Sequence, residues 1–232
     1  MKKFKLQCHY SILVTALLLF LLNGCSKDNP IEPGTFTDLD GNRYHTVTIC
    51  DQIWMVENLN VSKYRNGDAI PQVKNKEDWR ALTTGAYCYY NNDSGEYADK
   101  YGKLYNWYAV NDPRGLAPEG WHIPTDFEWS TLSTCLGGDD IAGGAMKEVG
   151  TNHWIYYNIG ATNLSGFTGL PGGERNYLGY FEYIRYFGSW WSSTTDGTGD
   201  PSYRQLQKNE VNLFKFDKGD KGMGYSVRCL KD

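Results

Sequence analysis

Thiols, imidazoles and carboxylates are the side chains through which this chain could bond covalently, hold a metal or move a proton, and their spacing narrows each option. Six cysteines are present, at positions 8, 25, 50, 88, 135 and 229. No two of them form the C-x₂₋₄-C pair from which zinc sites are commonly built. Past the first ten residues the histidines are His45, His122 and His153, each remote from any recognisable partner motif. His122, between Trp121 and Ile123, reads as structural. There is no His-Glu-x-x-His helix, Gly-x-Ser-x-Gly elbow, phosphate loop or dinucleotide fingerprint. Asp139, Asp140, Glu182 and Glu210 could serve glycoside hydrolysis only if the fold set two carboxyls about 5 Å or about 8 Å apart, which a sequence does not show. Asp38-x-Asp40-Gly41-Asn42 is like the start of a calcium loop, but an EF-hand would carry glutamate where Ile49 stands, so the stretch reads as a turn. These residues predict no catalytic group, no metal ligand and no cofactor.

Cys25 is different, because the residues before it have a defined chemistry. Met1-Lys2-Lys3-Phe4-Lys5 precedes an apolar run over residues 11–22. That is about a dozen residues, short of the ~20 a helix needs to cross the hydrocarbon layer, so it reads as a secretion signal. The run ends in Leu22-Asn23-Gly24-Cys25. This resembles the lipobox of bacterial lipoproteins, in which small residues admit the signal peptidase and the thiol takes a diacylglyceryl group. Several acyl chains on one residue anchor stably. The expected organisation is a signal peptide at 1–24, a tether at 25–34 headed by lipidated Cys25, and a single domain at 35–232. Ser26 favours the outer membrane over inner-membrane retention. Lys27-Asp28 faintly resembles a surface-export signal, so surface display is favoured over a periplasmic face.

The formal charge is −4, and loss of Lys2, Lys3 and Lys5 with the signal makes the domain more acidic. Nucleic acid is therefore not an expected partner. Cys50, Cys88, Cys135 and Cys229 remain after processing, an even number in an exported chain, which predicts two disulfides with three pairings open.

The elements that must position these groups are legible in part. Two β-rich runs around Asp40-Gly41 predict a hairpin, and Ile53-Trp54-Met55 a strand. Residues 60–105 are loop-rich, with a short helix over about 76–82. Thr125 followed by Glu128 is a capping box, predicting a helix from there to about Leu136, with Phe127, Trp129, Leu132 and Leu136 apolar and Gly137-Gly138 as the stop. A second helical piece is expected over about 140–149. From Trp154 onward, short Gly- and aromatic-rich runs at about 166–170, 180–183, 188–193, 203–206, 211–216 and 224–230 predict strands. Helices in the middle and strands at both ends predict an α+β domain in which first and last strands meet.

The order of motifs resembles the Fibrobacter succinogenes major paralogous domain, a family of exported bacterial proteins. The matching pieces run from Gln52-Ile53-Trp54-Met55 through Tyr101-Gly102-Lys103-Leu104-Tyr105, Gly120-Trp121-His122-Ile123-Pro124-Thr125, Leu170-Pro171-Gly172-Gly173 and Trp190-Trp191-Ser192-Ser193 to Gly224-Tyr225-Ser226-Val227-Arg228-Cys229. The resemblance implies a C-type-lectin-like fold, shared with formylglycine-generating enzymes and with receptor-binding proteins of some phages. It also implies the pairs Cys88–Cys229 and Cys50–Cys135. Aromatic residues make up 15% of the chain, with 18 Tyr and 8 Trp, more than a core this size uses. Exposed rings stack on sugars or anchor protein interfaces. Residues 172–180 read as an exposed hairpin. In the phage relatives the binding surface lies in the C-terminal half, so Glu174, Arg175, Asn176, Tyr177, Tyr180 and Tyr203 are the expected binding face. The expected function is a non-catalytic binding or adhesion module for a glycan or a surface protein, anchored to the membrane by its lipid. The rivals are an enzyme related to formylglycine-generating proteins, which use a reactive copper-binding thiol pair, a carbohydrate-active enzyme, and a purely structural envelope protein.

Overall fold

In the computed structural model, which describes residues 34–232, the chain opens on the predicted hairpin. The signal peptide, Cys25 and the tether up to residue 33 lie outside the described residues. Strand β1 (Thr35–Thr37) pairs antiparallel with β2 (Arg43–Ile49). Between them the Asp38 carboxylate accepts the backbone N–H groups of Asp40 and Asn42, each at 2.9 Å, and the Tyr44 hydroxyl at 2.8 Å. The acidic stretch is thus held as a turn by its own side chain. The chain reverses through Cys50 into β3 (Gln52–Met55).

The middle of the chain carries α1 (Lys76–Arg80), β4 (Tyr87–Cys88), a 3₁₀ turn (Tyr90–Asn92), α2 (Ser94–Tyr101), β5 (Leu104–Tyr105), α3 (Trp107–Val110), β6 (Trp121–His122), α4 (Asp126–Cys135) and α5 (Asp139–Met146). Strands β7 (Gly172–Arg175), β8 (Phe181–Ile184), β9 (Phe187–Thr195), β10 (Pro201–Gln207) and β11 (Phe214–Phe216) follow, and β12 (Leu230–Lys231) ends the chain. Two five-stranded sheets, ordered β1-β2-β3-β12-β6 and β11-β10-β9-β7-β8, and a small β4-β5 pair make a mixed α+β fold. Pairing is antiparallel except between β7 and β9.

As expected, the first and last strands share a sheet, with β12 inserted between β3 and β6. The segment before β12 ties all three sheets together. Gly224 bridges Arg175, Tyr225 bridges Tyr105 and Ser226 bridges Trp190. The Val227 and Cys229 carbonyls then accept the N–H groups of Leu59 and Met55. Every backbone group buried here needs a partner, and this segment supplies them to three neighbours in turn.

Helix α4 has the predicted capping box: Thr125 Oγ1 accepts Glu128 N–H at 3.2 Å and Glu128 Oε2 accepts Thr125 N–H at 2.8 Å. Trp129 and Leu132 are buried, but Phe127 is exposed. Positions two apart on a helix lie on opposite sides, so Phe127 and Trp129 do not share a face. Trp54, Trp129, Phe167 and Trp190 pack together where the two large sheets meet α4, with Trp54 and Trp129 centroids 4.7 Å apart. Two helices were not expected. Asp93 caps α2 by accepting Glu96 N–H at 3.1 Å, and Asn106 caps α3 by accepting Ala109 N–H at 3.1 Å. Residues 166–170 form no named strand, because the chain turns there, with Thr168 at φ 53°.

Of the two expected disulfides, Cys50–Cys135 is present, with Cα atoms 6.7 Å apart, tying the β2–β3 turn to the end of α4. The pair Cys88–Cys229 is corrected: both are free, buried thiols. Cys88 sits on β4 in a cluster with Trp79, Ala86, Tyr90 and Leu104. Cys229 belongs to a different cluster, with Tyr44, Met55 and Tyr105. Each thiol is enclosed in its own cluster, and Cys88 also lies beside the Arg175 guanidinium.

Candidate functional site

The loop over residues 147–159 leaves α5 and is fastened at several points. Lys147 is buried, and its Nζ donates to the carbonyls of Ile159 (2.7 Å), Gln207 (3.0 Å) and Glu210 (2.6 Å). Burial without a carboxylate contact pushes this amine down to about 8. Trp154 is fully buried and donates to the Gly169 carbonyl at 3.0 Å. Arg185 Nε donates to the His153 carbonyl at 3.1 Å, and Ile155 N–H to the Arg185 carbonyl at 2.9 Å. The Lys208 carbonyl accepts Ile159 N–H at 2.8 Å, and Lys208 N–H donates to the Tyr186 carbonyl at 3.0 Å.

These bonds bring residues 155–159 beside the turn that joins β8 to β9. The side chains left outward are Tyr156, Tyr157, Ile159, Tyr183 and Tyr186, whose exposure runs from 41% at Tyr186 to 69% at Tyr156. The Tyr156 and Tyr157 rings lie 4.0 Å apart, Tyr183 stacks on Phe187 at 4.6 Å, and the Lys208 ammonium sits 5.3 Å above the Tyr186 ring. A concentrated set of exposed rings on a pinned backbone offers large contact area at low entropic cost.

The same loop turns Glu148 and His153 into a cleft of about 340 Å³. Both Glu148 oxygens contact His153 Nδ1, at 2.8 and 2.9 Å. The cleft's other charged residues are Glu57, Asp99, Lys100 and Arg228. Glu57 is held by His45, with Nδ1 at 2.6 Å and the backbone N–H at 2.7 Å. Glu57, Asn58, Asp99 and Lys100 also line a neighbouring cleft of about 300 Å³ beside Tyr44 and Gly102. Among the described residues no three His, Cys, Asp or Glu side chains gather where they could hold a metal.

The expected binding face divides. Arg175 is buried and donates to four carbonyls: Gly179 (3.2 Å), Val73 (2.7 Å), Lys74 (3.0 Å) and Asn75 (3.2 Å). Its guanidinium lies 4.5 Å from the Trp79 ring centroid, so it fastens the β7–β8 hairpin to the chain before α1. Glu174 is also buried, and desolvation first, then the charge of Glu182, pushes its carboxyl up to about 7. Asn176 shapes the hairpin turn by accepting the N–H groups of Leu178 (3.1 Å) and Tyr180 (3.0 Å). Tyr203 is half-buried, stacked on Phe216 at 4.8 Å. The contacts seen for these four are within the protein, Glu174 and Arg175 being buried and Asn176 and Tyr203 half-buried. Tyr177 and Tyr180 are exposed, with Tyr180 accepting from Lys76 at 2.9 Å. Residues 172–180 read as an exposed hairpin, but every residue of β7 is buried.

Sequence reasoning missed Tyr156, Tyr157, Tyr183 and Tyr186, and the one available signal was an aromatic pair in a polar, Asn-rich loop. It also missed the pairing of His153 with Glu148, five residues apart on no regular element.

No curated protein and no solved structure matches the chain. The Fibrobacter succinogenes major domain matches residues 47–231, from β2 to β12, and the chain belongs to that family.

Proposed function

We propose that this protein is a lipid-anchored, surface-displayed module on a C-type-lectin-like framework that binds a glycan without transforming it. The observation that carries the reading is the set of exposed rings at Tyr156 and Tyr157, on a loop whose backbone is pinned at both ends, and at Tyr183 and Tyr186 on the adjoining β8–β9 segment. Tyrosine offers a flat apolar face to the C–H side of a sugar and a hydroxyl to its rim. Arg185 and Lys208, next to these rings, add donors for sugar oxygens. A surface protein, the other ligand expected from the sequence, would meet the same rings.

The thiols speak against formylglycine-type chemistry. A reactive pair needs accessible thiolates, whereas Cys88 and Cys229 are buried in separate clusters. Burial pushes Cys88 up to about 12 and raises Cys229 as well. Among the described residues no helix is long and apolar enough to cross a membrane, so attachment in this reading depends on Cys25.

A glycan array probed with the detergent-purified protein tests ligand binding, and fatty-acid labelling with protease shaving of intact cells tests anchoring and display. Sugar binding by a labelled, shaved protein is the expected result. Absence of any glycan ligand together with turnover of a substrate would overturn it.

A further inference from the structure

Three arginines are fully buried, and they differ in how their charge is met. Arg204 is neutralised by Asp126 at 2.7 Å. Arg175 spends four of its five N–H donors on carbonyls that fasten a hairpin. Arg228 spends three: Nε and Nη2 donate to Asn58 Oδ1 at 3.3 and 2.9 Å, and Nη1 donates to the Phe167 carbonyl. All its acceptors are neutral, two donors remain, and the residue lines the 340 Å³ cleft. Its guanidinium lies 4.1 Å from the Phe167 ring centroid. Burial pushes it down to about 9, with only the more distant charge of Glu57 acting the other way. A cation kept out of water without an anion is costly, and a carboxylate arriving from the cleft would relieve that cost with charge-assisted bonds.

The cleft walls define what else such a ligand carries. Glu57 and Glu148 are already engaged by His45 and His153, and Lys100 by Glu96 at 2.7 Å. Each of these three therefore has a partner within the protein, while the two carboxylates still offer acceptor lone pairs. Asp99, at the exposed rim, has no ion-pair partner among the described residues. Such acceptors suit hydroxyl donors. We propose that this cleft binds an acidic sugar, Arg228 receiving its carboxylate and Asp99, Glu57 and Glu148 accepting its ring hydroxyls. This deepens the glycan-binding reading and rests on it: the loop that carries Glu148 and His153 into the cleft also presents Tyr156 and Tyr157 outside it.

The test is a calorimetric titration of the detergent-purified protein with D-glucuronate, D-galacturonate, the matching neutral sugars and free alanine. At least one uronate is expected to bind about tenfold or more tightly than its neutral counterpart and than alanine. Arg228→Lys, which keeps the charge but loses the fork, should erase that preference, and the exposed rim variant Asp99→Ala should weaken uronate binding several-fold with an unchanged melting temperature. If Arg228→Lys does not fold, Lys100→Glu, which reverses the charge of an exposed residue at the mouth, serves instead and should abolish the preference by repelling the ligand's carboxylate. Equal binding of uronate and neutral sugar, equal binding of alanine, or a preference that survives Arg228→Lys, or Lys100→Glu in its place, would overturn the proposal. Neutral-glycan binding lost in Tyr156→Ser with no uronate preference would overturn it while leaving the glycan module standing. Absence of all glycan binding would overturn both.

Discussion

Replacing Arg175 by methionine separates a structural guanidinium from a ligand-binding one. Of the four carbonyls it serves, Lys74 also accepts from Asn92 Nδ2 and Asn75 from Trp79 N–H, so two, Val73 and Gly179, lose their partner. A hydrogen bond from a charged donor is worth about 1.5–3 kcal/mol, and an orphaned buried carbonyl costs about 1–3 kcal/mol. Contact with Trp79 at 4.5 Å adds on the order of 1 kcal/mol. Methionine recovers part of the packing and removes the cost of burying the charge, so the net loss should be about 3 kcal/mol. With a urea slope of about 2–3 kcal/mol/M, the midpoint should fall by roughly 1–1.5 M. Tyrosine-to-serine changes at Tyr177 and Tyr180, on the same hairpin but exposed, should stay within about 0.5 kcal/mol. Urea denaturation followed by tryptophan fluorescence reads both. A loss under about 1 kcal/mol for Arg175→Met would refute the reasoning, because a side chain that fastens two segments cannot be removed so cheaply.

Other outcomes follow from the same contacts. Cys50→Ser with Cys135→Ser opens a closure spanning 85 residues and should cost up to about 4–5 kcal/mol in the chain-entropy view, measurable by denaturant titration. Thiol titration of the processed protein should find Cys88 and Cys229 unreactive when folded and both reactive in denaturant, since each is buried and burial raises its pKa. His122 lies 2.7 Å from Asp232 and 2.9 Å from Glu128; burial lowers its pKa, but these carboxylates outweigh burial and raise it above 6.5. Its contribution is therefore full below 6.5 and fades as pH rises through the raised folded value, so His122→Gln should lower the melting temperature more at about pH 6 than at about pH 9. Equal losses at both would contradict that pairing.

How much of this was legible depended on whether a signal was local. The Thr125–Glu128 capping box lies within one turn of chain and forecast α4 correctly. The Asp38 turn was equally local. Helix α2 was missed because Asn91, Asn92, Asp93 and Gly95 read as a loop, whereas Asp93 serves as the cap of the helix that follows. Arg175 was misplaced because nothing near it in sequence announces Val73, Lys74 and Trp79, about a hundred residues earlier. The same limit applies to the cysteines: Cys88 and Cys229 are both core residues, but of different clusters, and only the packed chain shows it. Arg228 stood in the most recognisable C-terminal motif, yet its want of an anion depends on Asn58 and Phe167, which are distant in sequence.

In the proposed function the exposed rings of the 155–159 loop and the β8–β9 segment make the ligand contact. The most direct measurement compares glycan binding by the wild-type protein with that of Tyr156→Ser/Tyr157→Ser/Tyr183→Ser/Tyr186→Ser, with the melting temperature of each recorded. All four rings are exposed, so folding should be preserved while affinity falls by about a hundredfold, each stacking ring being worth roughly 0.5–1.5 kcal/mol. A folded quadruple variant that binds its glycan as tightly as the wild type would contradict the account.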